Sequence, residues 1–259
     1  MIGVCGTGRM GAGMLRRLLA AGHAAAGYDV RPAARFAPLR VTNDAAAFAA
    51  PLTTLFTVVR DEAETDAALS ALLPHAAGLE RLVLSSTLPP SYVREVAGRV
   101  GVPVVDAPMS GAQAGAEAGT LSFMLGGETA QIDAIEPALR AMGTHLHRMG
   151  GLGMGMTAKV LNNLIAASSM VATRTALDWG AAAGLDEARL LALIETSSGQ
   201  NWLASGMDRI EFARDGYEEG GSVAVLTKDV RCAMDAAPEG AKTDLPELLM
   251  AKLRALRPM

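Results

Sequence analysis

Several stretches of the chain combine residue types that could do chemistry. Gly6-Thr7-Gly8-Arg9-Met10-Gly11 fits the pattern G-x-G-x-x-G. Between a strand and a helix, the first glycine permits a tight turn and the second lets a pyrophosphate approach the backbone. The third lets helix and strand pack closely. The amides that open the helix then face the phosphates. Asp29 follows a second apolar run, where a carboxylate can accept hydrogen bonds from ribose hydroxyls and repel a 2′-phosphate. That favours NAD, while Arg31 could pair with a 2′-phosphate and keeps NADP open. Ser110-Gly111-Ala112 follows another apolar run and could hold a carboxylate through a hydroxyl and successive amides. Lys159 and Asn163 are spaced i, i+4, so a helix puts them on one face. Taken singly, each has an ordinary structural reading: a glycine turn, a surface carboxylate, a loop, a helix lysine. Their order along one chain is what gives them weight.

Elements must position these residues. Apolar runs at Ile2–Cys5, Ala24–Tyr28, Thr53–Val59, Arg81–Leu84 and Val104–Asp106 read as buried strands. Helices are expected between them at Arg9–Ala21, Asp61–Leu73 and Pro89–Val100, and strands alternating with helices imply a parallel sheet covered on both faces. Thr120–Leu125 and Thr144–Met149 extend the pattern around a helix at Glu128–Met142. After the glycine cluster Gly150–Gly155 no strand is evident, and a helix over 157–183 would run about 40 Å. Shorter helices follow at Asp186–Ser197, Leu203–Phe212, Val223–Ala236 and Asp244–Leu256, with Asp186 and Asp244 as N-caps. The expected architecture is α/β: a Rossmann-type doubly wound, mostly parallel sheet over residues 1–152, then an all-helical domain over 153–259, joined through the long helix.

Composition removes other classes. Half the residues are hydrophobic and the net charge is −4, so disorder is out. A mildly acidic chain with 4% aromatics has neither the charge nor the stacking groups to bind nucleic acid. Cys5 and Cys232 are the only cysteines, too few for a Cys-based zinc site or a disulfide framework. His23, His75, His145 and His147 share no metal-ligand spacing with carboxylates or thiols, so no metal is expected. The most apolar stretch, Leu161–Val171, is interrupted by Asn162, Asn163, Ser168 and Ser169, too polar for a membrane span. No basic stretch precedes the first apolar run, so a cytoplasmic protein without a signal peptide is expected.

At this point the chain resembles the β-hydroxyacid dehydrogenases, the group that includes 3-hydroxyisobutyrate dehydrogenase and tartronate semialdehyde reductase. The resemblance covers nearly the whole chain. It rests on the glycine motif at 6–11 and on Asp106-Ala107-Pro108-Met109-Ser110-Gly111-Ala112, continuing through Gly115-Ala116, Gly119-Thr120-Leu121 and Met124-Leu125-Gly126-Gly127. It rests also on Gly153, Gly155, Lys159, Asn162 and Asn163, and on Lys228-Asp229. The resemblance implies that Lys159 is the catalytic lysine, that Asn163 helps hold substrate, and that Ser110, Gly111 and Ala112 grip its carboxylate. It implies further that Val59 and Arg60 lie in a cofactor-contacting loop, that Thr87 lies near the nicotinamide, and that Lys228 reaches the cofactor and substrate region. It also implies a C-terminal domain like that of 6-phosphogluconate dehydrogenase. The chain departs from the family at Ala112, where a glycine is usual, and in being shorter.

The elementary chemistry agrees. A lysine near a helix start has its charged form disfavoured by the positive end of the helix, which moves its pKa toward a range useful for proton transfer. The sequence is therefore read as an NAD(P)-dependent dehydrogenase of a small β-hydroxy acid, or reductase of the matching semialdehyde. A homodimer or homotetramer is expected, since the long helix would leave one side exposed. Two alternatives are an imine reductase-like enzyme on the same scaffold, which typically lacks this lysine, and a non-catalytic nucleotide-binding module, which has no need of it.

Overall fold

A computed structural model describes all residues 1–259. Nine strands form one sheet: β1 (Ile2–Cys5), β2 (Ala25–Tyr28), β3 (Val41–Thr42), β4 (Thr54–Thr57), β5 (Arg81–Leu84), β6 (Val104–Asp106), β7 (Met109–Ser110), β8 (Leu121–Gly126) and β9 (Gly143–Gly150). The order is β3-β2-β1-β4-β5-β6-β8-β7, with β9 paired to β8. Strands β1 to β6 are parallel to one another, and β8 runs antiparallel to β6 and β7. Strand order reverses between β1 and β4, so the crevice at their carboxyl ends is the natural ligand site of an open α/β sheet.

Eleven helices accompany the sheet: α1 (Arg9–Ala20), α2 (Ala45–Ala49), α3 (Glu62–Leu72), α4 (Pro90–Arg99), α5 (Ala112–Ala118), α6 (Thr129–Met142), α7 (Met154–Ala182), α8 (Glu187–Glu195), α9 (Trp202–Gly206), α10 (Ser222–Asp235) and α11 (Asp244–Arg254). Side chains alternate across the sheet because successive strand residues point to opposite faces. Leu55, Leu82 and Leu84 pack with Val93 and Val96 on one face. Phe56, Val83 and Val105 pack with Met14, Leu15 and Leu18 on the other. Each such side chain, fully buried, stabilises the fold by about 1.5–3 kcal/mol before the entropy of ordering it is counted.

The chain packs as two compact units, Met1–Lys159 and Val160–Met259, and the division falls inside α7. In the second unit Ala167, Met170 and Leu177 of α7 form a core with Leu203, Val223, Val230, Leu249 and Leu253. Arg174 is buried there and donates to the carbonyls of Asp215 and Arg257, which ties the segment after α9 and the tail to α7. No helix is long and apolar enough to cross a membrane.

The structure differs from the sequence reading in several elements. Strand β4 stops at Thr57, which releases Val58 to Arg60 as a loop. Helix α9 ends at Gly206 rather than reaching Phe212. Beyond it the chain continues in turns, with the amides of Arg209 and Ala213 bonding the carbonyls of Gly206 and Ile210. Thr243, not Asp244, is the N-cap of α11. Its hydroxyl donates to Glu247, and Asp244 sits in the first turn, where its charge still complements the helix dipole. Asp186 caps α8 as expected, accepting from the amide of Arg189 at 2.9 Å.

Candidate active site

The glycine loop lies at the carboxyl end of β1. Gly6 has φ +91, a left-handed conformation that favours glycine, and its amide bonds the carbonyl of Tyr28 at 2.9 Å. A side chain at Gly11 would collide with the carbonyl oxygen of Gly6, so this position closes the turn against the helix. Gly8, by contrast, has open space where a Cβ would stand, with Arg31 Nη2 the nearest atom at 3.9 Å. Gly8 is also the N-cap of α1; it offers no side-chain acceptor, and the first turn holds no acidic residue. A tight turn, an open flank and a helix start without an anionic cap together fit a dinucleotide pyrophosphate.

Asp29 follows β2 and is only 6% exposed. Its carboxylate accepts from the Thr7 amide at 3.0 Å and from Arg31 through Nε and Nη2, both at 2.7 Å. Burial opposes its charge, but the bonds from Arg31 and Thr7 outweigh that and hold the carboxyl below the ordinary carboxylate range. The Arg31 guanidinium also lies over the Phe36 ring, 5.0 Å from its centroid. The carboxylate expected to repel a 2′-phosphate is thus half-neutralised by a cation beside it. Val59 borders Gly6, and its amide bonds the Ser86 hydroxyl at 2.9 Å. Arg60 is turned away to Glu64, bonded through Nε at 2.6 Å. Thr87 is half-buried in the loop after β5.

Ser110 ends β7, paired with Ser122 of β8. Gly111 has φ +132, and Ala112 has φ +52, the one non-glycine residue of the chain with positive φ. An L side chain there costs about 1–2 kcal/mol relative to glycine. The backbone therefore keeps a glycine-like conformation at the position where the resembled family carries glycine. Helix α5 starts here, where the Pro- and Gly-containing sequence predicts a loop. It packs on α1 where Gly13 meets Ala116 without room for a Cβ.

Lys159 lies near the start of α7 and is 8% exposed. That helix start is fixed by Asp106, the last residue of β6, which accepts from the amides of Gly153 at 2.8 Å and Met156 at 2.6 Å. Asn163 is buried in the second unit, where its Nδ2 donates to Asp229 Oδ2 at 2.6 Å; Lys228 Nζ lies 2.9 Å from Asp229 Oδ1. So the structure brings Asn163 and Lys228 together through Asp229. It groups Gly6 to Gly11 with Asp29 and Val59, and it leaves Arg60 in a surface ion pair. Sequence reasoning missed Asp106 and Asp229 as holders of these groups. A carboxylate at the end of the apolar run Val104-Val105 was the available signal for Asp106, since a buried carboxylate must find donors. His145 and His147 stack on β9 at 6.2 Å and face solvent, and no group of three or more His, Cys, Asp or Glu is placed to hold a metal.

Fold and loop together define a dinucleotide-binding protein, and its relatives narrow the class. Residues 1–151 match the NAD-binding domain of 6-phosphogluconate dehydrogenase. Residues 153–256 match the NAD-binding domain of NADP-dependent 3-hydroxyisobutyrate dehydrogenase. The mitochondrial 3-hydroxyisobutyrate dehydrogenase of Rattus norvegicus is 30% identical over 264 residues, covering 96% of this chain and 78% of that one. The NAD-dependent L-serine dehydrogenase of Pseudomonas aeruginosa is 34% identical over 196 residues, covering 71% of this chain and 65% of that one. The solved Mycobacterium tuberculosis 3-hydroxyisobutyrate dehydrogenase with L-serine superposes at TM-score 0.82 with 29% identity, over 99% of this chain and 95% of that one. An imine reductase of Streptomyces aurantiacus shares the fold alone, at TM-score 0.65 and 19% identity. The chain belongs to the β-hydroxyacid dehydrogenase family and is an NAD(P)-dependent dehydrogenase of that kind.

Proposed function

We propose that the chain interconverts a short β-hydroxy acid and its semialdehyde, with Lys159 carrying the proton. The observation that supports this most directly is a lysine almost wholly buried beside a helix start pinned to the substrate-loop segment. A bound nicotinamide dinucleotide supplies the hydride acceptor, or the donor in the reverse direction. In oxidation a neutral Lys159 amine takes the hydroxyl proton; in reduction its ammonium returns a proton to the carbonyl oxygen. Ser110 and the amides of Gly111 and Ala112 hold the carboxylate, and Asn163, oriented by Asp229, adds a hydrogen bond to substrate. Gly6, Thr7, Gly8, Arg9, Met10 and Gly11, with Asp29, Val59, Thr87 and Lys228, hold the cofactor. Arg60 serves that loop only by leaving Glu64.

NAD is the preferred cofactor because Asp29 stands where a 2′-phosphate would, and Arg31 narrows that preference by sharing its charge. A nicotinamide absorbance assay tests both points at once. With 3-hydroxyisobutyrate and L-serine, kcat/KM should favour NAD over NADP, and isobutanol should fall at least about ten-fold below the acids, since the carboxylate donors would be left unpaired. A cyclic imine reduced as fast as any semialdehyde would reverse the substrate class, and a preference for NADP would hand the ribose site to Arg31.

Self-association belongs to the same reading. On α7, Leu161, Ile165 (69% exposed) and Trp179 (74% exposed) leave apolar surface uncovered. Light scattering should give a multiple of the chain mass, and a monomer at micromolar concentration would remove the proposal.

A further inference from the structure

We propose that Asp106 is the positioning residue of the reaction: its carboxylate fixes the start of α7, and with it Lys159, relative to the Ser110 loop. The inference rests on the reading of Lys159 as proton carrier. Asp106 is completely buried at the end of β6, and Ser110 follows four residues later in the same segment. One carboxylate oxygen accepts from Gly153 and the other from Met156, so both are spent on the first turn of the lysine's helix. Gly155 and Gly126 let the backbones close around the carboxylate, for a Cβ on either would meet an Asp106 oxygen. The same turn is pinned a second time, because the Met156 sulfur accepts from the Leu88 amide at 3.3 Å, next to Thr87. Lys159 is one turn further along.

An ordinary helix start is served by Ser, Thr or Asn at far lower desolvation cost than a fully buried carboxylate. Here burial pushes the Asp106 carboxyl up, and the amides of Gly153, Met156 and Gly155 work against that shift. What the carboxylate adds is two-point attachment. It joins the segment that carries the carboxylate grip to the turn that aims the amine. Misplacement of a reacting group by about 1 Å can cost about a hundred-fold in rate, so a fixed helix start has catalytic value beyond stability.

The test is Asp106→Asn, made alone and together with Lys159→Ala. In the single variant an amide group faces one of the two backbone N–H donors, so one attachment is lost and the shape is kept. With 3-hydroxyisobutyrate, kcat should fall about ten- to hundred-fold, KM and the NADH dissociation constant should stay within about three-fold, and the double variant should be no slower than Lys159→Ala alone. Without cofactor, trace labelling by acetic anhydride read by peptide mass spectrometry should show Lys159 reacting at a changed rate, with Lys242 and Lys252 unchanged. Asp106→Ser, which keeps one acceptor oxygen, serves the same measurements if Asp106→Asn does not fold. Parental kcat and labelling in a folded variant, or losses that multiply in the double variant, would overturn the proposal. An active Lys159→Ala enzyme would overturn the reading of Lys159 instead, and the labelling would still report whether Asp106 places that amine.

Discussion

Lys159→Ala is expected to lower kcat about 10²–10⁴-fold, the range for loss of a general acid–base, and to leave dinucleotide affinity nearly intact. The rate loss corresponds to about 2.7–5.4 kcal/mol of transition-state stabilisation. Two features of the site carry the expectation. Lys159 is buried, with 8% of its surface exposed, so its amine is held in place rather than turning freely in solvent. It also stands in the second turn of a 29-residue helix whose start is held by the Asp106 carboxylate. The glycine loop and Asp29 belong to other elements, so truncating the lysine leaves them untouched. Single-turnover measurement separates chemistry from product release. A variant that transfers hydride at the parental rate would remove Lys159 from the mechanism.

Much of this was readable in the sequence because strong periodicity survives folding. The buried runs at Ile2–Cys5, Arg81–Leu84 and Val104–Asp106 became strands with those bounds, since each is short, apolar and flanked by a helix or turn signal. The long helix was expected over 157–183 and runs Met154–Ala182; its glycine-rich start hid the first turn, which Asp106 stabilises from outside the local sequence. Small elements were not legible. Strand β3 has two residues and α2 five, too few for any period to show. The start of α5 at Ala112 depends on a positive φ that sequence assigns to glycine, not alanine. For the site, local pairs were within reach: Arg31 with Asp29, and Arg60 with Glu64 at i, i+4 spacing. The holders of Lys159's helix start and of Asn163 were not. Asp106 and Gly153 are 47 residues apart, and Asn163 and Asp229 are 66 apart, so only tertiary structure joins them.

Substitutions at two glycines of the same loop should fail in different ways. Gly8→Ala places its methyl in open space, 3.9 Å from the nearest atom of the protein, so stability should be unchanged. That space is where a pyrophosphate must approach the backbone. A methyl there displaces one or two charge-assisted hydrogen bonds, each worth about 1.5–3 kcal/mol. At about 1.4 kcal/mol per tenfold, the NADH dissociation constant should rise at least about ten-fold. Gly11→Ala instead drives its methyl into the carbonyl of Gly6 and against Val4 Cγ1 at 3.4 Å. Backbone cannot give way as a flexible side chain can, so β1 and α1 must separate, at a cost of about 1–3 kcal/mol for overpacking. The turn at Gly6, held at φ +91 by its bond to Tyr28, then shifts as well. Gly11→Ala should therefore lose both melting temperature and cofactor affinity, while Gly8→Ala loses affinity alone. Thermal melts and NADH fluorescence titrations of the two proteins decide the matter. A Gly8→Ala protein that binds NADH as tightly as the parent would mean that the phosphates do not lie against this loop.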